Sequence, residues 1–482
     1  MSRVPAMRPW AYLLSALIAL TLSGCASLTP DGGLAQVTAL AAGKSAGDKP
    51  QLASAPTANA QQVVNDLLTR PLSADAAVRI ALLNNPAMHA SMAQLAISDA
   101  ERVQASTLPN PVLSIGRFVQ GDAVEIERLL RFDVLGLVTL PWRINLRAQA
   151  ATQANDMARV QAAADVVRLA ADTRKAWVQA VAARMSAGYA RDVHDAALAG
   201  TELARRMAVV GNWSRLQQAR EQSLLAETTA QLARAEQNAL AARERLTRLL
   251  GLWGEQTNYQ LPKQLPPLPD ALTEVSNVEA QAVRERLDVR AALLAEQQAQ
   301  QALHLVRRLG PLSNVELAVA HNTSFESAEG HRATTRGLEL ELPIPLFDQG
   351  QARSARALAV HAQAQARTRA VAVQARSEAR EGWHGWRTAY DLARHYRDQV
   401  VPLRRLINDE MLLRFNGMLV SIWDVLGDAR QHIHAVNASI EAQRDFWLAD
   451  TDLQLVLSGT SPGGMTALRS TASPAANEPA GH

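Results

Sequence analysis

Between Arg143 and Arg206 the sequence contains no proline. A helix over that stretch would be about 95 Å long at 1.5 Å per residue, which few folds other than bundles and coiled coils can house. A break follows at Val209-Val210-Gly211-Asn212-Trp213-Ser214, and a second helical pattern runs from Arg215 to about Leu250. Leu225, Leu232, Ala239 and Leu246 recur every seven residues, and Thr228, Ala235, Ala242 and Leu249 follow three positions behind. This is an a/d seam of leucine and small residues, suited to close antiparallel packing. The plan recurs later in the chain. Residues 351–400 are Ala-rich and lack proline, a break falls near Asn416-Gly417, and Ile433, Val436, Ile440 and Trp447 share one helical face. A generic antiparallel coiled coil satisfies these patterns as well as anything more elaborate.

The two halves align as an internal repeat. Asn85-Pro86-Ala87-Met88-His89-Ala90 matches Arg286-Leu287-Asp288-Val289-Arg290-Ala291 with a shift of 201 positions. The same shift carries Leu108-Pro109-Asn110-Pro111 onto Leu309-Gly310-Pro311-Leu312, and Leu140-Pro141 falls near Leu342-Pro343. Each half reads helix, breaker, strand, loop, strand, Pro, very long helix, turn, long helix. The strands argue against a plain coiled coil. Val315, Leu317 and Val319 alternate with Glu316 and Ala318, and Leu338, Leu340 and Leu342 alternate with Glu339 and Glu341. The first half offers weaker candidates at 112–119 and 132–140. Period-2 alternation fits outer-membrane strands with apolar residues toward lipid and polar ones toward a lumen. Amphipathic hairpins capping a helical bundle would carry the same pattern. In a bilayer, four strands cannot close, and open edges in hydrocarbon leave backbone groups unsatisfied. Three copies would supply twelve strands.

Composition narrows the function classes. Lys and Arg total 49 against 46 Asp and Glu in 482 residues, a net charge of +3. That balance argues against a nucleic-acid partner held by phosphate neutralisation. Aromatics are only 4% of the chain, which suits long helices rather than a sandwich or an α/β enzyme. No HExxH or P-loop pattern occurs, so a non-enzyme is expected. His432 and His434 are two apart on a helix and do not face one another, so no metal site is expected there. Trp383 and Trp386 read as packing residues.

The single cysteine, Cys25, excludes an intramolecular disulfide and a thiolate zinc site. It follows Arg3, Arg8 and the apolar run Ala11–Leu22, a signal core too short to span a bilayer. Leu22-Ser23-Gly24-Cys25 resembles a bacterial lipobox, which implies removal of 1–24 and a covalent lipid on Cys25. No other cofactor is expected. Ala26, in place of Asp, permits sorting to the outer membrane. Residues 25–69 read as a lipidated tether and 459–482 as a disordered tail, both from their Ala, Gly, Ser and Pro content.

Several motifs resemble TolC-type outer-membrane efflux proteins. They are Leu72-Ser73-Ala74-Asp75-Ala76-Ala77, Ala81-Leu82-Leu83-Asn84-Asn85-Pro86, Leu108-Pro109-Asn110-Pro111, and Leu342-Pro343-Ile344-Pro345-Leu346-Phe347-Asp348-Gln349-Gly350. The turn Arg414-Phe415-Asn416-Gly417 through Asp424-Val425-Leu426 is similar to the family's periplasmic hairpin tip. The resemblance implies a mainly α, two-repeat TolC-like protomer with a small β part, its repeats at 70–255 and 256–458. Long antiparallel coiled-coil helices would join four strands contributed to a trimeric 12-stranded β-barrel. The implied function is a passive outer-membrane exit channel for metal cations or drugs, with a periplasmic adaptor and an inner-membrane pump as partners. Asp424, and less directly Asp428, match acidic residues that narrow the periplasmic gate. Glu316, Glu339 and Glu341 would line the barrel lumen. Gly211, Ser214, Asn416 and Gly417 would form the hairpin tips that dock the adaptor, with Met418 standing where many members have glycine. The rival reading is a periplasmic coiled-coil lipoprotein, a spacer or adaptor without a pore.

Overall fold

The computed structural model describes residues 27–44, 50–55, 57–107, 112–120, 123–131, 134–309, 316–326, 331–341 and 349–464. The expected signal sequence, Cys25, the Leu108–Pro111 motif, most of the Leu342–Gly350 junction and the last eighteen residues lie outside them. The described helices are α1 (Leu34–Ala41), α2 (Ala58–Leu68), α3 (Ala74–Asn84), α4 (Pro86–Ser106), α5 (Val134–Val209), α6 (Arg215–Leu250), α7 (Val278–Glu285), α8 (Leu287–Leu309), α9 (Gln351–His395), α10 (Val401–Asn416) and α11 (Ile422–Ser458). The strands are β1 (Val112–Gln120), β2 (Ala123–Arg131), β3 (Glu316–Glu326) and β4 (His331–Glu341). A π-helical turn at Tyr396–Val400 joins α9 to α10. Two compact units result, and α4, α5, α8 and α9 contribute residues to both.

One unit comprises residues 27–33, 93–159 and 291–369. It holds an antiparallel four-stranded meander in the order β1-β2-β3-β4. The second hairpin agrees with the alternation read at 315–319 and 338–342, with Leu317 opposite Leu340 and Val319 opposite Leu338. The first hairpin corrects the sequence reading. Its return strand is Ala123–Arg131, not 132–140, and residues 134–140 already belong to α5. Val134-Leu135-Gly136-Leu137-Val138-Thr139-Leu140 is a short apolar run, which periodicity cannot assign to strand or helix. Pro141, read as the strand-to-helix junction, falls inside α5.

The same unit holds the start of the expected tether. Thr29 donates from its amide (2.9 Å) and its hydroxyl (2.8 Å) to Asp99 Oδ2. Arg102 pairs with the other oxygen of that carboxylate at 2.9 Å. Burial disfavours the Asp99 carboxylate, but the Thr29 and Arg102 bonds outweigh it and bring its pKa to about 2.

The other unit comprises residues 34–92, 160–290 and 370–464. Here too the tether takes structure: α1 buries Val37 and Ala41 completely, and α2 is capped by Thr57. Small-residue content alone does not prevent burial of an apolar stripe. One core joins Leu72, Ile80, Trp177, Val181, Leu246, Leu250 and Tyr259. The Trp177 indole donates to the Leu72 carbonyl at 2.7 Å. A second core joins Leu268, Trp386, Tyr390, Phe446 and Leu453, and Trp386 donates to Asp450 at 3.0 Å. The a/d seam of α6 holds as read. Thr228 and Leu246 are buried and the other six seam residues half-buried, while most of the residues between them are exposed.

The repeat is visible in how the helices break. Asn85 and Arg286 both leave helical geometry, at ψ 122° and 135°, and both are buried. Asn85 Nδ2 donates to the Leu249 carbonyl at the end of α6 at 2.8 Å. In the second repeat the Leu287 amide donates to the carbonyl of Gly459, just past α11, at 2.8 Å. The tail therefore begins as fixed structure. Thr460 is buried, and the Ser461 hydroxyl donates to Glu378 at 2.7 Å. Among the described residues no helix is long and apolar enough to cross a membrane.

Candidate functional site

The sheet sorts its residues by face. In a pleated strand alternate positions share a face, and directly paired residues share the same one. Through the three registers, Leu113, Ile115 and Val119 of β1 fall on one face. Val124, Ile126 and Leu130 of β2 join them, as do Leu317, Val319 and Phe325 of β3 and Leu338 and Leu340 of β4, and the same face also takes Arg117, Arg128, His321, Arg332 and Arg336. The described side chains of β1, Leu113, Ile115 and Val119 among them, are exposed. The opposite face collects six glutamates by register: Glu125 and Glu127 of β2, Glu316 and Glu326 of β3, and Glu339 and Glu341 of β4. Glu316 pairs directly with Glu341. The expected Glu316, Glu339 and Glu341 are thus brought to one face, while Glu125 and Glu127 escaped the sequence reading with the misplaced strand. Gly121-Asp122 between two alternating runs was the available signal, because a two-residue Gly-Asp step favours a tight hairpin. Gln120 does pair with Ala123 across it.

The two helical hairpin tips lie in the other unit and are built alike. After α5, the Asn212 amide donates to the Met207 carbonyl and the Gly211 amide to Ala208, with Gly211 at φ 79°. This is a Schellman closure with glycine in the left-handed position. Ser214 then caps α6, and Gln217 bonds back to it in a capping box. After α10, Leu419 donates to Arg414 and Met418 to Phe415 in the same pattern. Met418, not Gly417, takes the left-handed position, at φ 59°. Gly417 sits at φ −82°, so the tip keeps its geometry without needing glycine at 417. Asn416 is the last residue of α10. Val209, Val210, Met418 and Leu419 are all exposed, Met418 at 93%, so both tips present apolar side chains.

Asp424 and Asp428 stand one turn apart near the start of α11, in different surroundings. Asp424 closes the second capping box. Its Oδ2 accepts from the Ser421 amide at 2.9 Å and the Ser421 hydroxyl at 2.7 Å. Those bonds hold the exposed carboxyl below its usual range. Asp428 is 9% exposed and pairs with Arg404 of α10 at 3.8 Å. Among the described residues no cluster of His, Cys, Asp or Glu could hold a metal ion.

No protein-family model matches the sequence, and no curated protein does either. Solved structures do match. The chain is similar to CusC, whose structure concerns folding and transmembrane channel formation, at 15% identity and a TM-score of 0.63, covering 80% of this chain and 92% of that one. It is similar to the outer membrane protein VceC of Vibrio cholerae at 16% identity and 0.62, covering 84% and 100%. It is similar to the open state of the MtrE outer membrane channel of Neisseria gonorrhoeae at 17% and 0.62, covering 80% and 88%. They are described as a protein that forms a transmembrane channel, an outer membrane protein and an outer membrane channel, and the fold of this chain is TolC-like.

Proposed function

We propose that this protein is the outer-membrane exit channel of a tripartite efflux system. Three copies would share one 12-stranded barrel. The observation that carries this reading is the sheet. Its register puts most of the large apolar residues on one face, together with four arginines, and all six glutamates on the other, and β1 and β4 are its outer strands. Such a sheet in hydrocarbon would leave the backbone groups of its outer edges unpaired unless other strands continue the ladder. Pairing β4 of one protomer with β1 of the next closes the barrel with the glutamates inward. On this reading a lipid on Cys25 adds an anchor. The tips around Gly211, Ser214, Asn416 and Gly417 meet a periplasmic adaptor through their exposed apolar side chains, and an inner-membrane pump delivers metal cations or drugs. Asp424 and Asp428 lie near the tip, where their three-fold repetition would ring the periplasmic gate.

A glutamate-lined lumen favours cations. The purified protein in planar bilayers should conduct with cation preference. The combined variant E316Q, E339Q and E341Q should move its cation-to-anion permeability ratio toward one. A protein that never conducts, or a ratio untouched by the three substitutions, would count against this reading.

A further inference from the structure

A cavity of about 150 Å³ lies where α5, α6 and α11 meet. Its apolar wall comes from Val193 and Ala197 of α5, Leu224 of α6, and Leu426 and Ile433 of α11. Glu221 of α6 lines it with a side chain of unusual standing. The residue is 1% exposed, and neither carboxylate oxygen has a hydrogen-bond partner. The nearby Thr201 hydroxyl bonds to the Glu221 backbone carbonyl, not to the carboxylate. Gly200 leaves the space beside Oε2 open, since a Cβ there would come within 3.4 Å of that oxygen.

We propose that this cavity binds a small organic ammonium ion, with Glu221 as its counter-ion. A buried carboxylate without a partner is costly, so the site favours a proton or a cation. No ion pair to Glu221 forms among the described residues. Arg430 of α11 reaches the cavity edge but acts on Glu221 only through its field, and Glu227 of α6 and His434 of α11 sit at the same edge. Burial raises the Glu221 pKa, and the field of Arg430 opposes that rise. The chemistry excludes a metal ion. Glu227, Gln231 and His434 also line the cavity, but no three His, Cys, Asp or Glu side chains among the described residues stand close enough together to supply the several donors such an ion requires. Size sets the ligand class. A volume of about 150 Å³ accepts a benzene-sized guest, so an alkylammonium such as n-butylammonium fits. All of these residues belong to one compact unit, so the inference does not rest on the channel reading.

The test is calorimetric titration of the full chain in detergent, at mildly alkaline pH, with n-butylammonium chloride and with n-butanol as its neutral counterpart. Sodium chloride at equal ionic strength is the blank. The wild type should prefer the ammonium by about tenfold, the scale of one charge-assisted contact. E221Q, nearly isosteric and neutral, should abolish that preference. Ala197→Leu, which fills the cavity and keeps the carboxylate, should weaken both ligands, and it decides the matter if E221Q fails to fold. Equal affinity in wild type and E221Q, unchanged affinity in A197L, or no wild-type binding into the millimolar range would overturn the proposal. The last outcome would mean that Arg430 or a proton already neutralises Glu221.

Discussion

Arg286→Ala should destabilise the unit that holds it by about 3–5 kcal/mol, the usual cost of breaking a buried ion pair from one side. Arg286 is 1% exposed and marks the break between α7 and α8. Its guanidinium grips Asp288 with two bonds, at 2.9 and 2.5 Å, and reaches Glu378 of α9 at 2.7 Å. Those acids in turn receive Ser461, whose amide donates to Asp288 at 3.1 Å and whose hydroxyl donates to Glu378 at 2.7 Å. Desolvation opposes the charge on Arg286, yet the two carboxylates more than compensate and hold it firmly protonated. Alanine would leave two carboxylates facing each other without a cation. Arg286→Lys keeps the charge but loses the two-pronged grip, so it should fall between. Adding Glu378→Gln to R286A should recover part of the loss. Thermal unfolding of the four proteins measures the order directly, and a near-neutral R286A would show that the network adds little to stability.

The second large effect is expected at the matching place in the first repeat. Gly251→Ala should cost about 2–5 kcal/mol, combining left-handed strain with overpacking. Gly251 closes α6 at φ 67°. A Cβ there would lie 2.6 Å from the Asn84 carbonyl oxygen and 3.2 Å from Asn85 Cα. Both are backbone atoms that cannot swing aside. They are held by Asn84 Nδ2 donating to the Leu250 and Gly251 carbonyls at 3.1 and 2.8 Å. Gly254→Ala is the control. It has a similar φ of 60° but open space around it, so it should lose only about 1 kcal/mol of backbone strain. If the two variants melt together, close packing between the α6 end and the α3–α4 break is not what the glycine serves.

These two sites carry the lesson about legibility. The 201-position shift aligned Asn85 with Arg286 from text alone, although neither was read there as a helix break. The text did not disclose that one break is tied by amide bonds and the other by an ion network. That depends on partners at Leu249 and Glu378, remote in sequence. The seam of α6 and the β3–β4 hairpin were legible because long, regular periodicity survives ignorance of tertiary context. β2 was lost because a stronger apolar run at 134–140 competed with it. α1 and the Ser461 contacts were lost because small, polar residues were equated with disorder. Met418 shows the converse. The glycine expectation attached to the tip, but the Schellman hydrogen bonds impose the left-handed turn on methionine. Asp424 was legible as an acid near the tip, whereas its capping bond to Ser421 follows only from the helix start.

The claim that four strands per chain close a shared barrel is tested most directly by mass. The protein would be extracted from outer membrane in mild detergent and weighed by native mass spectrometry. The account predicts a particle of three chains, each carrying lipid. A monomer that persists across mild detergents would contradict the shared barrel and favour a coiled-coil lipoprotein without a pore.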